Sequence, residues 1–124
     1  MLEARLPDSV RKTATVHLGE YAWRVPEVFA AIEASAALRL AVILGDPRLS
    51  LPQGMYEFSA PTADDEEEMR GDDESWPAFV ERTADEATRA LRRLLADRSW
   101  LEGEEFAPAD PNQLEWVLYF MEES

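Results

Sequence analysis

The sequence predicts an α+β fold, a single small domain over residues 1–124 in which a short β-sheet carries about three packed helices. The chain is as long as one ordinary domain, and 46% of its 124 residues are hydrophobic, as is usual for a globular protein. Some segments repeat apolar residues at helical spacing, whereas other short segments are continuously apolar or alternate. The predicted order is helix, helix, strand, strand, helix, strand, and such irregular succession is typical of α+β domains.

Two helices are predicted in the first third of the chain. The first covers residues 7–16, PDSVRKTATV, where Pro7 suits a first turn and Asp8 places negative charge at the positive end of the helix dipole. Gly19 is expected to end this helix, because glycine is common just past a helix. The second covers residues 26–37, PEVFAAIEASAA, where apolar residues recur at spacings of three and four.

Three segments are predicted to be strands. Residues 39–44, RLAVIL, form a short apolar run closed by a Gly-Asp-Pro turn signal, which is typical of an interior strand covered on both faces. Residues 54–59, GMYEFS, alternate, with Tyr56 and Phe58 on one side, as expected for a strand with one face toward the core. Residues 113–121, QLEWVLYFM, are rich in aromatic and β-branched residues, which favour strands.

The longest predicted helix covers residues 76–97, WPAFVERTADEATRALRRLLAD. Its apolar residues form one stripe at helical spacing, and its charged residues lie outside that stripe. Ser75 is the expected N-cap, and Pro77 is tolerated in a first turn. The acids at 72–74 precede the positive end of the helix dipole, where each well-placed charge contributes about 0.3–1 kcal/mol.

The chain is strongly acidic, with a formal net charge of −14 and a pI near 4.3. Like charges repel, so nucleic acids and anionic membranes are not expected as direct partners, whereas a basic partner, or solubility alone, is compatible with this charge. The lack of cysteine excludes disulfides and thiolate chemistry and fits a reducing compartment. Residues 1–12 lack a signal-peptide pattern, and the apolar run at 38–45 is far shorter than the ~20 residues that cross a bilayer. A cytoplasmic protein is therefore expected.

Half of this charge falls in TADDEEEMRGDDES, residues 62–75, within a predicted loop over residues 60–75. Eight acids and one basic residue, Arg70, give the segment a formal charge of −7. The acids are Asp64, Asp65, Glu66, Glu67, Glu68, Asp72, Asp73 and Glu74. Blocks of like charge are either solvated surface or contact a partner of opposite charge, and both interpretations stay open. If the loop binds, its partner presents a basic surface, such as the cleft of a nuclease-like or nucleotide-handling toxin.

No catalytic constellation is recognisable. His17, the only histidine, has no evident triad partner, and no serine lies in the glycine-rich setting of a nucleophile. The contiguous acids do not match a calcium loop, where ligands alternate with spacers, and one histidine without cysteine disfavours zinc or iron. We therefore expect no enzymatic activity, no metal and no cofactor. A pocket of converging carboxylates with raised pKa values would revive an enzymatic alternative.

Trp23 and Trp76 each lie beside the start of a predicted helix, among apolar neighbours. Packing in the core is the expected role, because buried aromatic side chains commonly fill small cores. The alternative is an exposed anchor for a partner, a position in which tryptophan is enriched.

Three stretches resemble the immunity protein 40 family of bacterial polymorphic toxin systems. They are LPDSVRKTATVHLGEYAWRVPEVFAAIEA, LRLAVILGDP and ESWPAFVERTADEATRAL, all within residues 6–95. In that family a short helix leads to a G-x-x-E-x-AW type segment, then a helix and a strand with a Gly-Asp turn, and a late helix opens with Ser-Trp or Ser-Tyr. The matching positions are Gly19, Glu20, Ala22, Trp23, Gly45, Asp46, Ser75, Trp76, Phe79, Val80 and Arg82. Glu20 follows Gly19 directly, a closer spacing than in the family segment.

The resemblance implies a cytoplasmic antitoxin that binds a cognate secreted toxin domain stoichiometrically, covering its active cleft or locking it in an inactive shape. In this interpretation the acids between 64 and 74 make the first electrostatic contact. Structural roles are expected for Gly19, Glu20, Trp23, Gly45, Asp46, Trp76 and Phe79. An acidic secretion chaperone or regulatory adaptor is the alternative, and the neighbouring gene separates the two, because a large secreted protein with a toxin domain favours the antitoxin.

Overall fold

The computed structural model describes residues 1–62 and 69–123. Within these ranges three α-helices pack on one curled five-stranded antiparallel sheet, which confirms the predicted α+β fold. The helices are α1 (Asp8–Arg11), α2 (Glu27–Ala37) and α3 (Trp76–Ala96). The strands are β1 (Thr15–His17), β2 (Glu20–Trp23), β3 (Ala41–Leu51), β4 (Gly54–Glu57) and β5 (Glu115–Met121). Their order across the sheet is β1-β2-β5-β3-β4, so β5 occupies the middle.

The first predicted helix is wrong beyond its first turn, because α1 ends at Arg11 and the end of the 7–16 segment enters β1. Gly19 does not end a helix. With Leu18 it forms the two-residue turn of the β1–β2 hairpin, at φ angles of 81° and 50°. Positive φ at both central residues gives the turn whose twist suits a hairpin. The hairpin places Trp23 of β2 in the core, and this tertiary burial outweighs the local helix signals.

β3 is an interior strand, as predicted, but the Gly-Asp-Pro sequence does not close it. The strand lies between β5 and β4 and continues to Leu51. Leu44 pairs with Leu118 and Pro47 pairs with Trp116, so two residues of β3 lie opposite one residue of β5. This is a β-bulge, which lets turn-forming residues occur inside a strand. Within the predicted segment the strand residues Ala41, Val42 and Leu44 are buried and Ile43 is half-buried, whereas Asp46 in the bulge is exposed.

The remaining predicted elements occur where they were expected. α2 fills the predicted segment, and α3 begins directly after Ser75, whose hydroxyl accepts a hydrogen bond from Ala78 N at 3.2 Å, as an N-cap does. β4 and β5 lie within the predicted segments 54–59 and 113–121. Among residues 1–62 and 69–123, no helix has the length and apolar character that a membrane span requires.

The core lies between the helices and one face of the sheet. Trp23 is fully buried, and its Nε1 donates to Val10 O at 3.0 Å, which ties β2 to α1. Trp76 is 9% exposed, donates from Nε1 to Arg39 O at 2.8 Å and packs against the Phe79 ring in a tilted arrangement. Both tryptophans are therefore buried, and neither presents its ring to a partner.

The side chains of β5 alternate between the two faces of the sheet. The side chains of β5 in the main buried cluster are Trp116, Leu118 and Phe120. Because side chains alternate along a strand, Glu115, Val117 and Tyr119 belong to the other face. Tyr119 is 44% exposed there, so this face is partly open.

Candidate binding site

A cleft with a volume of about 420 Å³ opens on the sheet face that carries Tyr119. The carboxylates of Glu20, Asp46 and Glu57 line it, together with Tyr119 and Gly45. The three carboxylates and the tyrosine come from four strands, β2, β3, β4 and β5. The sheet thus gathers residues that are far apart in sequence around one opening.

The bulge in β3 brings Asp46 to the cleft. An extra residue bends a strand and re-aims its side chains, and bulges are frequent beside functional sites. One carboxylate oxygen of Asp46 accepts from Ala60 N at 3.1 Å, which holds it against the chain that follows β4. That chain reaches Thr62, which lines the cleft and is separated from the acidic run by one residue in the sequence. The cleft and the acidic segment are therefore adjacent along the chain.

Gly45 and Tyr119 fit each other closely. A Cβ atom on Gly45 would lie 2.7 Å from Tyr119 Cε2 and 3.2 Å from Val117 O, so only glycine lets the ring lie against β3. The Tyr119 hydroxyl donates a short hydrogen bond of 2.5 Å to Glu20 Oε2. The position of the Tyr119 ring is therefore fixed by its packing against the Gly45 backbone and by the hydrogen bond of its hydroxyl to Glu20.

The carboxylates make the electrostatic potential in the cleft negative, and this potential affects the pKa of the Tyr119 hydroxyl. Its pKa is raised from 10.0 to about 12, chiefly because the neutral hydroxyl donates to Glu20. Burial raises it further, and so do the charges of Glu20, Glu57 and Asp46. Each of these effects disfavours a second negative charge in the cleft, and the same field favours a bound cation.

We expect alkaline titration to show one of the three tyrosines ionising near pH 12, where a pKa of about 12 places Tyr119. Glu20→Gln should move this late phase toward pH 10 by removing the carboxylate charge. Because the folded pKa lies above the unfolded value, Tyr119 contributes stability below pH 10, and that contribution is lost as the pH rises toward 12. Tyrosinate absorbance measures the titration. Tyr119→Phe should abolish the late phase and Tyr56→Phe should preserve it, and the reverse pattern would contradict the assignment.

The acidic segment is only partly described. Asp64, Asp65, Glu66, Glu67 and Glu68 lie outside the described residues. Asp72 and Asp73 are exposed. Glu74 instead turns toward α3.

Glu74 accepts from Arg82 Nε at 2.8 Å, from Arg82 Nη2 at 3.0 Å and from Gly71 N at 3.0 Å. Arg82 also donates to Glu86 at 3.1 Å and to Met69 O at 2.8 Å. The hydrogen bonds from Arg82 and then from Gly71 lower the pKa of Glu74 to about 2. This carboxylate anchors the end of the segment to α3, and its hydrogen bonds are made within the chain rather than offered to a partner.

Glu74→Gln is expected to lower the thermal unfolding midpoint at neutral pH. Its folded pKa of about 2 lies below the ordinary 4.5, so its contribution is complete above pH 4.5 and is lost as the pH falls through 2. The difference from the wild type should therefore shrink across this window, as circular dichroism melts in pH steps would measure. Asp72→Asn with Asp73→Asn is the control and should change little. If the difference in unfolding midpoint between the wild type and Glu74→Gln stayed constant down to pH 2, the ionised Glu74 carboxylate would not be its cause.

A buried ion pair that the sequence analysis did not predict lies on the same face of the sheet. Arg48 and Glu115 are 0% and 4% exposed, with Arg48 Nε 3.7 Å from Glu115 Oε2. Arg48 Nη2 donates to Thr15 O at 3.0 Å and to Glu20 O at 3.4 Å, and the Thr15 hydroxyl donates to Glu115. These contacts join β1, β2, β3 and β5 and fix the start of β2, where Glu20 stands. The predicted strand ended at residue 44, so no pattern marked Arg48 as buried.

The structure brings together some of the residues singled out from the sequence. Those that meet at the cleft are Glu20, Gly45 and Asp46. Those that lie elsewhere are Gly19 in the hairpin turn and Trp23, Trp76 and Phe79 in buried positions. Sequence reasoning missed Glu57 and Tyr119. Alternation within each strand could have given their faces, but only the register between strands places them at one opening.

The chemistry available in the cleft is that of cation binding. Three carboxylates supply negative charge, and the Tyr119 ring supplies a face on which a guanidinium or ammonium group can rest. His17 is exposed on β1, where the residue opposite it in β2 is Glu20. In residues 1–62 and 69–123, no group of three or more His, Asp and Glu side chains is placed to hold a metal ion.

Comparison of the chain with protein-family models, with curated proteins and with solved structures gives no match. The resemblance to the immunity protein 40 family therefore stays a prediction based on the motifs quoted above. The geometry of the cleft is a separate observation that does not depend on this resemblance.

Proposed function

We propose that the protein is an immunity protein, an antitoxin that acts in the cytoplasm by binding a cognate secreted toxin domain stoichiometrically. The observation that carries this proposal is the open acidic cleft of Glu20, Asp46 and Glu57 beside Tyr119. The cleft offers a formed site to a basic side chain of the toxin. The acidic run that follows Thr62 adds charge of the same sign, and the family-like motifs support the same role.

Recognition would rest on one arginine or lysine of the toxin entering the cleft. Its charge pairs with the carboxylates, and its flat or aliphatic part lies against the ring of Tyr119. The net charge of −14 attracts a basic surface over a longer range. Such complementarity accelerates the encounter and fixes its orientation more than it strengthens the final complex. Inhibition then needs only coverage of the toxin's active cleft, without catalysis by this chain.

Co-expression with the toxin domain encoded next to this gene tests the role. We expect growth rescue and recovery of a one-to-one complex by pull-down. Recovery of a complex with a neighbouring effector that is not toxic would instead favour the secretion chaperone or adaptor. Failure to bind any product of its own locus would overturn both.

Charge-neutral variants test the cleft itself. The triple variant combines Glu20→Gln, Asp46→Asn and Glu57→Gln. Its association with the toxin should be slower by roughly tenfold or more at low salt, and added salt should reduce the difference in association rate from the wild type. Stopped-flow or surface-plasmon-resonance kinetics measure both effects. The matched control changes three exposed acids elsewhere, Glu102, Glu104 and Glu105, to glutamine. Equal slowing by the two sets would mean that net charge, rather than the cleft, governs binding.

A further inference from the structure

A second surface lies on the helix side of the sheet, between α2 and α3. It is a groove with a volume of about 530 Å³ that continues into an adjoining cavity of about 440 Å³. Ala36 and Glu81 line both, so the two form one trough. The groove shares no lining residue with the acidic cleft and is a separate feature.

The two helices run antiparallel along the groove. Phe29 of α2 faces Arg92 near the end of α3, whereas Ala36 and Ala37 share the far cavity with Pro77 at the start of α3. From Phe29 to Ala37 the helix advances about 12 Å, or about two turns. The groove therefore matches in length a short helix rather than a single side chain.

The floor of the groove is apolar and shallow. Two larger apolar side chains, Phe29 and Ile32, contribute to it. The remaining lining side chains are small, namely Ala36, Ala84 and Thr88. Small side chains let a third helix approach two others closely, and a third helix laid between two neighbours buries its own apolar stripe. An extended strand would find no open sheet edge here with which to pair.

The rim of the groove is acidic. Glu33, Glu81 and Asp85 stand along it, all exposed, and none forms an ion pair with another described residue. Two cations line the trough: Arg92 lies over the Phe29 ring at 5.8 Å at one end, and Arg39 lines the adjoining cavity at the other end, so the acids occupy the stretch between them. A neighbour that fills the groove must therefore bring positive charge on both sides of an apolar stripe.

We propose that this groove binds an amphipathic helix with lysine or arginine flanking a narrow apolar face, supplied by a partner protein. A second copy of the chain is a poor occupant, because a protein with a net charge of −14 would bring acid against acid. The proposal does not depend on the partner being a toxin. It adds an attachment surface on the side of the sheet opposite the cleft.

The direct test uses a fluorescein-labelled peptide of about four helical turns, with leucine and alanine at i, i+3, i+4 and i+7 and lysine elsewhere. We expect saturable binding by fluorescence anisotropy, at least tenfold tighter than binding of the same residues in scrambled order. Amide shifts in ¹H–¹⁵N spectra should cluster on α2 and α3. Equal affinity for the scrambled peptide, or shifts confined to the sheet face, would overturn the proposal.

Two variants of the protein sharpen this test. The floor variant fills the groove without changing its charge and carries Ala36→Leu and Ala84→Leu. The rim variant removes the negative charges and carries Glu33→Gln, Glu81→Gln and Asp85→Asn. Each should weaken peptide binding by about tenfold, whereas the Glu102, Glu104 and Glu105 glutamine set should not. If the floor variant fails to fold, the rim variant decides, since its sites are exposed. Wild-type affinity in the rim variant, or a dimer that occupies the groove by sedimentation analysis, would refute the proposal.

Discussion

Replacement of Arg48 by methionine is expected to lower the free energy of unfolding by about 3–5 kcal/mol, the usual cost of leaving a buried charge without its partner. Methionine retains apolar volume but removes the guanidinium, so Glu115, 4% exposed, would keep only the Thr15 hydroxyl. The loss is large beside the roughly 5–15 kcal/mol of total stability that is usual for a domain. Urea unfolding followed by tryptophan fluorescence measures it.

The matched control for this variant removes both charges, as Arg48→Met with Glu115→Leu. Apolar replacement of a complete buried ion pair is often neutral or stabilising, so the double variant should regain most of the lost stability. Equal instability of the single and double variants would assign the contribution to the backbone hydrogen bonds of Arg48 with Thr15 and Glu20 instead of the charge pair.

Replacement of Trp23 by alanine is the second change for which a large effect is expected, a loss of about 3–5 kcal/mol from the cavity that a buried tryptophan leaves. The indole is fully buried, meets Phe120 edge-on at 6.2 Å and donates to Val10 O. Trp23→Phe should cost less, because it keeps an aromatic ring and loses chiefly the N–H donor. Chemical unfolding compares the three proteins.

The same variants separate the two roles considered for Trp23. If the side chain only packs the core, toxin binding should fall in proportion to the fraction of unfolded protein. A Trp23→Ala protein that is as stable as the wild type but no longer binds would contradict the core assignment. The burial of the ring makes the first outcome the expected one.

The elements that sequence patterns predicted best are those whose signals are long and local. α3 carries an apolar stripe over 21 residues and its own N-cap, so neither depends on distant contacts. The β1–β2 hairpin has strands of only three and four residues, too short for periodicity to show. The Gly-Asp-Pro sequence suits a turn and a bulge alike, and only the pairing of β3 with β5 decides between them.

The candidate site was predictable in part. Glu20, Gly45 and Asp46 were singled out by motif resemblance, and they meet at one cleft. Tyr119 and Glu57 were missed because their position depends on register across the sheet. The buried pair of Arg48 with Glu115 was missed for a related reason, because alternation along one strand does not reveal how curling of the sheet covers a charged side chain.

The central place of β5 has a consequence for biosynthesis. Two early hairpins, β1–β2 and β3–β4, emerge from the ribosome long before the strand that pairs with both of them. Until residues 115–121 emerge, each hairpin exposes backbone donors and acceptors along an unpaired edge, which can recruit other nascent chains. The two hairpins therefore cannot join into one sheet before residues 115–121 have been synthesised, and until then their unpaired edges are open to contact with other chains.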